Sequence, residues 1–319
     1  MSTAPKVGDL LFARGYVAPP GTPGTFQPIL TTGEINWNTY EADPVERPVV
    51  GLMGVQLPAL HAAQRATATF SVGLVGSGTP GVAPAAGSLF EACAMGEAVV
   101  EDESVTYTFI DLMQTAETAA VDLICNESGQ KQQCNQARGT ATLTFPAAGI
   151  PTAEFNFTGN YATPETEAIE SPPSFGGQSL YKLVGQNTTL TLISDGDEFP
   201  ICFESFAFTF GAAVEISALG NCEQRPEHND IMATWNATAI RSASDLDLWQ
   251  ILEDRYEQDL SIELRHGLFT GPNANPGYRV SLDLTQVFLD GITRAQIKQR
   301  AARSLSGTLK GIGVALTFD

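Results

Sequence analysis

The sequence predicts a mostly β protein: two β-sandwich or barrel domains, each with one short flanking α-helix. Three observations carry that prediction. Hydrophobic residues make up 43% of the 319, while 30 glycines and 19 prolines break the chain at short intervals, which suits a packed core threaded by many turns. Short runs rich in Thr, Val and Phe alternate apolar with polar side chains, the period of a half-buried strand. The order of elements in the first half then returns in the second.

The chain opens with a strand at residues 9–14, a Pro/Gly loop from Pro19 to Gly24, and a strand at 34–38 in which Ile35 and Trp37 alternate with polar neighbours. Residues 41–63, broken by Pro44, Pro48, Gly51, Gly54 and Pro58, read as a long irregular connection. Connections longer than ~12–15 residues are usually functional or disordered. This one carries Val49, Val50, Leu52, Met53, Val55, Leu57 and Leu60, so it is expected to dock on a surface. An Ala/Thr-rich strand at 66–72 leads through a Gly-Ser-Gly turn to a helix at 89–95. Ser88 and Glu91 have the spacing of a capping box, and Gly96 is the stop. Strands follow at 104–109, 120–124, 139–145 and 153–158.

Residues 163–178 are rich in Pro, Glu, Ser and Gly and poor in apolar side chains, the composition of a linker. They set the division into a first domain at 1–165, a linker at 166–185 and a second domain at 186–319. Strands are expected there at 188–193, 202–210 and 213–218, then an irregular connection at 219–230 and an Ala/Thr-rich strand at 233–240. A helix begins at Ser244 with Asp247, and Leu246, Trp249, Ile251, Leu252 and Tyr256 form its core face. Strands around 260–264 and 279–284 precede a closing pair ending at Phe318.

Charge excludes several functions. The chain has 36 acidic against 17 basic residues, a net charge of −19, and both halves share the excess. Such a surface repels phosphates and anionic lipid. No run reaches the ~18 apolar residues of a membrane helix, and the N-terminus lacks a secretory pattern, so no membrane binding is expected. Five widely spaced cysteines without a CxxC fit neither a disulfide framework nor a zinc site. Folding in a reducing cytoplasm is the expectation, with Cys125–Cys134 and Cys202–Cys222 able to close loops on oxidation.

Catalytic patterns are missing too. His61, His228 and His266 are not at ligand spacing, Val75-Gly76-Ser77-Gly78 is no nucleophile elbow, and phosphate-binding and calcium loops are absent. The run Glu101-Asp102-Glu103 reads as a solvated hairpin end. No enzyme and no cofactor are expected. One feature opposes the acidic background: Arg279, Arg294, Lys298, Arg300, Arg303 and Lys310 place six of the 17 bases within residues 279–310. Contact with an acidic face of a neighbouring copy is the preferred reading of this strip; a solvated strand pair is the plain one.

The stretch Gly76-Ser77-Gly78-Thr79-Pro80-Gly81-Val82-Ala83-Pro84 before Leu89-Phe90-Glu91-Ala92-Cys93 carries a resemblance. So do residues 104–108, Ala137-Arg138-Gly139-Thr140-Ala141-Thr142, Ala147-Ala148-Gly149-Ile150-Pro151 and the run 155–161. Together they make residues 8–164 similar to the tail tube proteins of siphophages. The second half follows by its order of elements. An aspartate-glycine turn expected between the strands near 121 and 138 is replaced by Cys125-Asn126-Glu127-Ser128-Gly129.

The resemblance implies tube-domain β folds, here duplicated, whose hairpins join those of neighbours into a barrel. Stacked rings, as trimers with pseudo-sixfold symmetry, would form a DNA conduit with an acidic lumen. Val49 to Leu60 would be the ring-stacking loop, and Arg294, Lys298, Arg300, Arg303 and Lys310 an inter-subunit strip. Implied partners are copies of this chain, a tape measure protein in the lumen, terminator and tip proteins at the ends, and double-stranded DNA in passage. The location would be the phage tail, after synthesis in the host cytoplasm. The alternatives are another virion β protein (baseplate, tail-end or capsid decoration) and a carbohydrate-binding adhesin module, the latter suggested by scattered tryptophans.

Overall fold

The computed structural model describes residues 10–15, 26–46, 58–111, 118–127, 129–166, 187–194, 196–216, 225–240, 245–253, 260–267, 276–297, 300–309, 311 and 313–319. The first half holds β1 (Leu10–Gly15), β2 (Gln27–Ile29), β3 (Asn36–Val45), β4 (Leu60–Gly73), α1 (Gly87–Glu91), β5 (Met95–Val100), β6 (Ser104–Phe109), β7 (Val121–Glu127), β8 (Gln130–Pro146), β9 (Thr152–Tyr161) and β10 (Glu165–Thr166). The second holds β11 (Thr188–Ser194), β12 (Asp197–Pro200), β13 (Phe203–Ile216), β14 (Pro226–Ile240), α2 (Asp245–Glu253), β15 (Leu260–His266), β16 (Val280–Ile297), β17 (Arg300–Leu309) and β18 (Val314–Phe318). The chain is mostly β, as its alternation predicts.

Strands run longer than the sequence suggests. The expected irregular connection at 41–63 is strand at both ends, because register shifts at Asn38/Glu41 and Glu41/Asp43 let a polar segment stay on the ladder. Pro44, which cannot donate, is tolerated on this outer strand. β13 merges two expected strands, and β14 absorbs the end of the expected 219–230 connection. The predicted capping box is not formed: Ser88 lies inside α1, and the N-cap is Ala86 with no side-chain bond. The chain leaves α1 through Ala94 at φ 64 and enters β5 at Met95, well before Gly96 could act as a stop. In α2, Leu248 and Ile251 are buried while Trp249 is 43% exposed. Trp249 therefore sits off the core face assigned to it; Ser244 and Tyr256 lie outside the described residues.

Eight strands form one antiparallel ladder in the order β3-β4-β9-β8-β13-β14-β17-β16. β8 and β16 are long enough to serve two neighbours on one side. The first part of β8 pairs with β7, which carries β1 and then β2. The first part of β16 pairs with β15, which carries β11 and then β12. β10 and β18 continue the lines of β9 and β17 along β8 and β16. The order β3-β4-β9-β8-β7-β1-β2 is thus met again as β13-β14-β17-β16-β15-β11-β12.

One face of the ladder is the core. Phe70, Phe155, Phe157, Leu143, Phe145, Phe206, Phe208 and Phe210 are essentially inaccessible, and neighbouring rings lie 5.5–6.4 Å apart. Each such side chain contributes about 1.5–3 kcal/mol by leaving water. α1 covers this face by setting Phe90 against Phe155 at 5.3 Å and against Phe318 at 6.0 Å.

The predicted linker lies outside the described residues, apart from Thr166 at the end of β10. Strand pairing, a turn and a buried side chain join the halves directly. β13 pairs with β8 from Ser205↔Pro146 to Gly211↔Thr140, and β18 pairs with β6. The Gly-Ser-Gly turn docks by its backbone, Gly78 N–H donating to Gly277 O at 2.9 Å. Gly78 and Gly277 have φ of 87° and 85°, and a Cβ on Gly277 would lie 2.4 Å from the Gly78 carbonyl carbon. Only glycine fits so close an approach in that conformation. This turn is a built joint between the halves.

Buried Arg138 in β8 adds a side-chain contact. Its Nε donates to Thr118 Oγ1 and Nη2 to the Thr118 carbonyl, both at 2.8 Å, and Nη1 donates to the Pro226 carbonyl at the head of β14. Thr118 Oγ1 also bonds His228 Nδ1 at 3.1 Å. Replacing Arg138 with Met leaves these acceptors buried and unpaired, at a cost of about 1–3 kcal/mol. A drop of that size in denaturant unfolding is expected, and an unchanged midpoint would remove Arg138 from the joint.

Acid sensitivity follows from the same region. Burial, then the Arg138 charge, pushes His228 down to about 4, and burial pushes His266 down to about 4. Between pH 6.5 and 4 the unfolded chain binds protons that these folded histidines refuse, so stability falls as pH drops through that window. Burial and then Glu97 raise Glu91 to about 7, which works oppositely: the folded chain keeps a proton that the unfolded chain loses above its ordinary carboxyl range. Burial and then Glu263 raise Asp283 in the same direction, so the two histidines are opposed by two carboxyls, and each contribution is read as the change in slope on substitution. His228→Gln and His266→Gln should flatten the slope, and Glu91→Gln should steepen it. Identical slopes for all four proteins would contradict these assignments.

Candidate self-assembly surfaces

The ladder face opposite the core carries hydroxyls and amides. Ser71, Glu154, Thr142, Thr209, Thr234 and Thr308 oppose one another in sequence across six adjacent strands. Parallel rows run Asn36, Thr69, Asn156, Thr140 and Thr152, Thr144, Ala207, Asn236, Ser306. Thr142 and Thr209 hydroxyls bond at 3.1 Å, and Thr69 donates to Asn156 Oδ1 at 3.4 Å. Threonine suits this position because its branched Cβ favours the extended backbone while its hydroxyl stays solvated. These rows hold no Lys or Arg, and Glu154 is their one carboxylate. The sequence contains this face as the second phase of the alternations at 66–72 and 139–145.

Two ladder edges are open among the described residues. β3 pairs only with β4, and the far half of β16, from Leu289 to Ile297, pairs only with β17. Unpaired N–H and C=O groups on such edges are templates for another strand.

The two edges differ in charge. Arg294 on β16 is exposed and stands directly opposite Arg303 of β17, while exposed Arg300 pairs with Ile297 at the tip. Like charges facing each other across a ladder are unfavourable. Lys298 and Lys310 lie outside the described residues. Arg279, at the opposite end of β16, is not part of the group; its Nε is 3.4 Å from Asp319 Oδ1. Glu34, Glu41, Asp43 and Glu46 lie along or beside β3. Arg65 of β4 reaches Asp43 at 2.9 Å and Glu41 at 3.1 Å, and these partners, Asp43 first, hold its guanidinium above its ordinary pKa. This acidic edge was hidden in the stretch read as irregular.

Of the apolar loop candidates, Val49, Val50, Leu52, Met53, Val55 and Leu57 lie outside the described residues. Leu60 begins β4, 50% exposed, opposite Val45 at 47%. A further exposed apolar group, missed in the sequence, is Val82 at 51%, Val99 at 53% and Val100 at 49%. It sits where the Gly81 backbone presses on the turn of the β5–β6 hairpin, which the acidic run Glu101-Asp102-Glu103 forms.

The histidines are dispersed in structural roles. His61 bonds the Tyr40 hydroxyl at 2.5 Å, and His266 bonds the Thr188 hydroxyl at 2.8 Å. Cys93, Cys125 and Cys134 are buried and Cys202 is exposed, none of them in a disulfide. Among the described residues, no cluster of three or more His, Cys, Asp or Glu is placed to hold a metal ion, and no helix is long and apolar enough to cross a membrane. The arrangement presents edges and faces for assembly.

A family model described as phage tail tube protein matches residues 18–306. No curated protein matches the chain.

Proposed function

The chain belongs to the phage tail tube protein family, a structural protein of the phage tail, and from that premise we propose that its copies polymerise into stacked rings forming the tube through which DNA is ejected. The observation that carries this reading is the eight-strand ladder. It has an open edge at each side, a core on one face, and a hydroxyl-lined face on the other. A wall segment of a channel needs that combination. Lateral joining satisfies the edges, and a head-to-tail contact repeated by rotation closes a ring.

The hydroxyl face is the one we assign to the lumen, because α1 and the aromatic core occupy the other. On this assignment the lumen is lined by neutral polar rows with Glu154, less acidic than the lumen expected from the sequence. These rows hold no Lys or Arg for passing phosphates to bind, and Arg65, on the same face, is paired with Asp43 and Glu41. Most of the −19 charge then belongs to outer surfaces and strand ends.

If the two halves are two copies of one tube domain, three chains give a pseudo-sixfold ring. Such a ring has on the order of twenty-four strands, which at about 4.8 Å spacing and about 40° tilt gives a backbone diameter of roughly 48 Å. Axial stacking would use the apolar loop that includes Val49 to Leu60 and the Val82, Val99, Val100 group. A siphophage tail, assembled from chains made in the host cytoplasm, would add a tape measure protein in the lumen and terminator and tip proteins at the ends.

Negative-stain microscopy of the purified protein at rising concentration tests the reading. Hollow tubes of uniform width with a regular axial repeat are expected, and channel width separates a three-chain ring from a six-chain one of about twice the diameter. Monomers or single closed rings under every condition would move the protein to a tail-end, baseplate or decoration role.

A further inference from the structure

The chain makes one strand seam internally and leaves the two halves of an equivalent seam open. The repeated strand order gives a residue-by-residue equivalence. In each half the long strand bends at a non-glycine residue with positive φ, Gln136 at 51° and Gln286 at 56°. Beside each, the ladder to the preceding strand slips by one residue, at Val121/Leu123 and at Leu260/Ile262. Three residues beyond these glutamines, Gly139 opposes Phe157 and Leu289 opposes Gly307. Following the ladders outward, Phe157 opposes Ala68 and Gly307 opposes Trp235. Ala68 in turn opposes Trp37, and Trp235 opposes Phe208. Trp37 thus takes the place of Phe208. Allowing for the irregularity at Leu289/Gly291, Arg294 takes the place of Leu143.

Inside the chain, Phe208 and Leu143 are partners in the β8–β13 seam. Their equivalents, β3 and the far half of β16, are the two edges that stay open among the described residues. We propose that β3 of a second copy pairs antiparallel with the far half of β16 in the register of the internal seam: Ala295 opposite Asn36, Arg294 opposite Trp37, and Thr293 opposite Asn38. This deepens the ring reading and rests on it.

Two properties agree with this register. The first is side-chain parity. Thr293 lies on the hydroxyl face, opposite Ser304, and Asn36 and Asn38 lie on the hydroxyl face of β3, so the rows continue across the join. A one-residue slip would turn every side chain to the wrong face. The second is charge. Arg294 comes beside the Trp37 indole, a favourable cation–π pair, and Glu34 falls opposite Ile297, whose β17 partner is Arg300.

Cysteine pairs under mild oxidation test this in a chain also carrying Cys202→Ser and Cys222→Ser. Cys93, Cys125 and Cys134 are buried and stay. Chains with N38C/T293C, or independently N36C/A295C, are expected to cross-link into covalent oligomers that end at the ring size. The offset pair N36C/T293C on the same face is expected to give at least ten-fold less. R294E is expected to raise the concentration needed for assembly several-fold. Tubes that form while neither matched pair cross-links, or while the offset pair cross-links equally, would overturn this register and leave the tube reading standing. Absence of any assembly in the unmodified chain would overturn both.

Discussion

Backbone hydrogen bonding across the eight-strand ladder is the constraint on which the rest of this structure depends. Each strand must satisfy N–H and C=O groups on two sides, and an antiparallel series that does not close on itself always leaves two sides unsatisfied. Soluble proteins usually blunt such edges. Here the β16 edge keeps a regular run to Ile297, and β3 carries its proline only near the far end, at Pro44. Edges left usable in this way fit a chain whose partner is another copy of itself.

The core supports the same design. Aromatic side chains sit on the core face of adjacent strands in both halves, so the β8–β13 seam is held by Phe145, Phe206 and Phe208 as well as by its ladder. Arg138 and the Gly78–Gly277 joint fix the two halves at other points. A rigid seam within the chain sets the angle between its two open edges. That angle decides whether repeated joining closes into a ring or spirals.

The sequence made the fold class legible because alternation is strong in β4, β6, β8 and β9, where threonines face one way and aromatics or alanines the other. Strand length was less legible. Residues 41–45 and 130–138 are polar and irregular in pattern, and only the neighbouring strand tells the chain to remain extended there. The helix caps failed for a local reason: Ser88 and Glu91 have the right spacing, but the chain enters α1 two residues too early for Ser88 to act as a cap. The basic tip was visible as a cluster in the sequence. The acidic stretch of β3 was not, since Glu41 and Asp43 lay in a segment with no readable period. The matching bends at Gln136 and Gln286 could not be anticipated, because glutamine carries no sequence signal for positive φ.

The central claim is that one chain is a wall segment with its internal seam complete and its outer seam waiting for a neighbour. Amide hydrogen exchange on dissociated and assembled protein tests it directly. The account predicts that residues 205–211 on the internal seam are protected in both states. Alternate amides at 35–38 and 292–296 should exchange quickly in the free chain and become protected on assembly. Equal exchange at 35–38 and 292–296 in both states, with protection gained elsewhere, would contradict it.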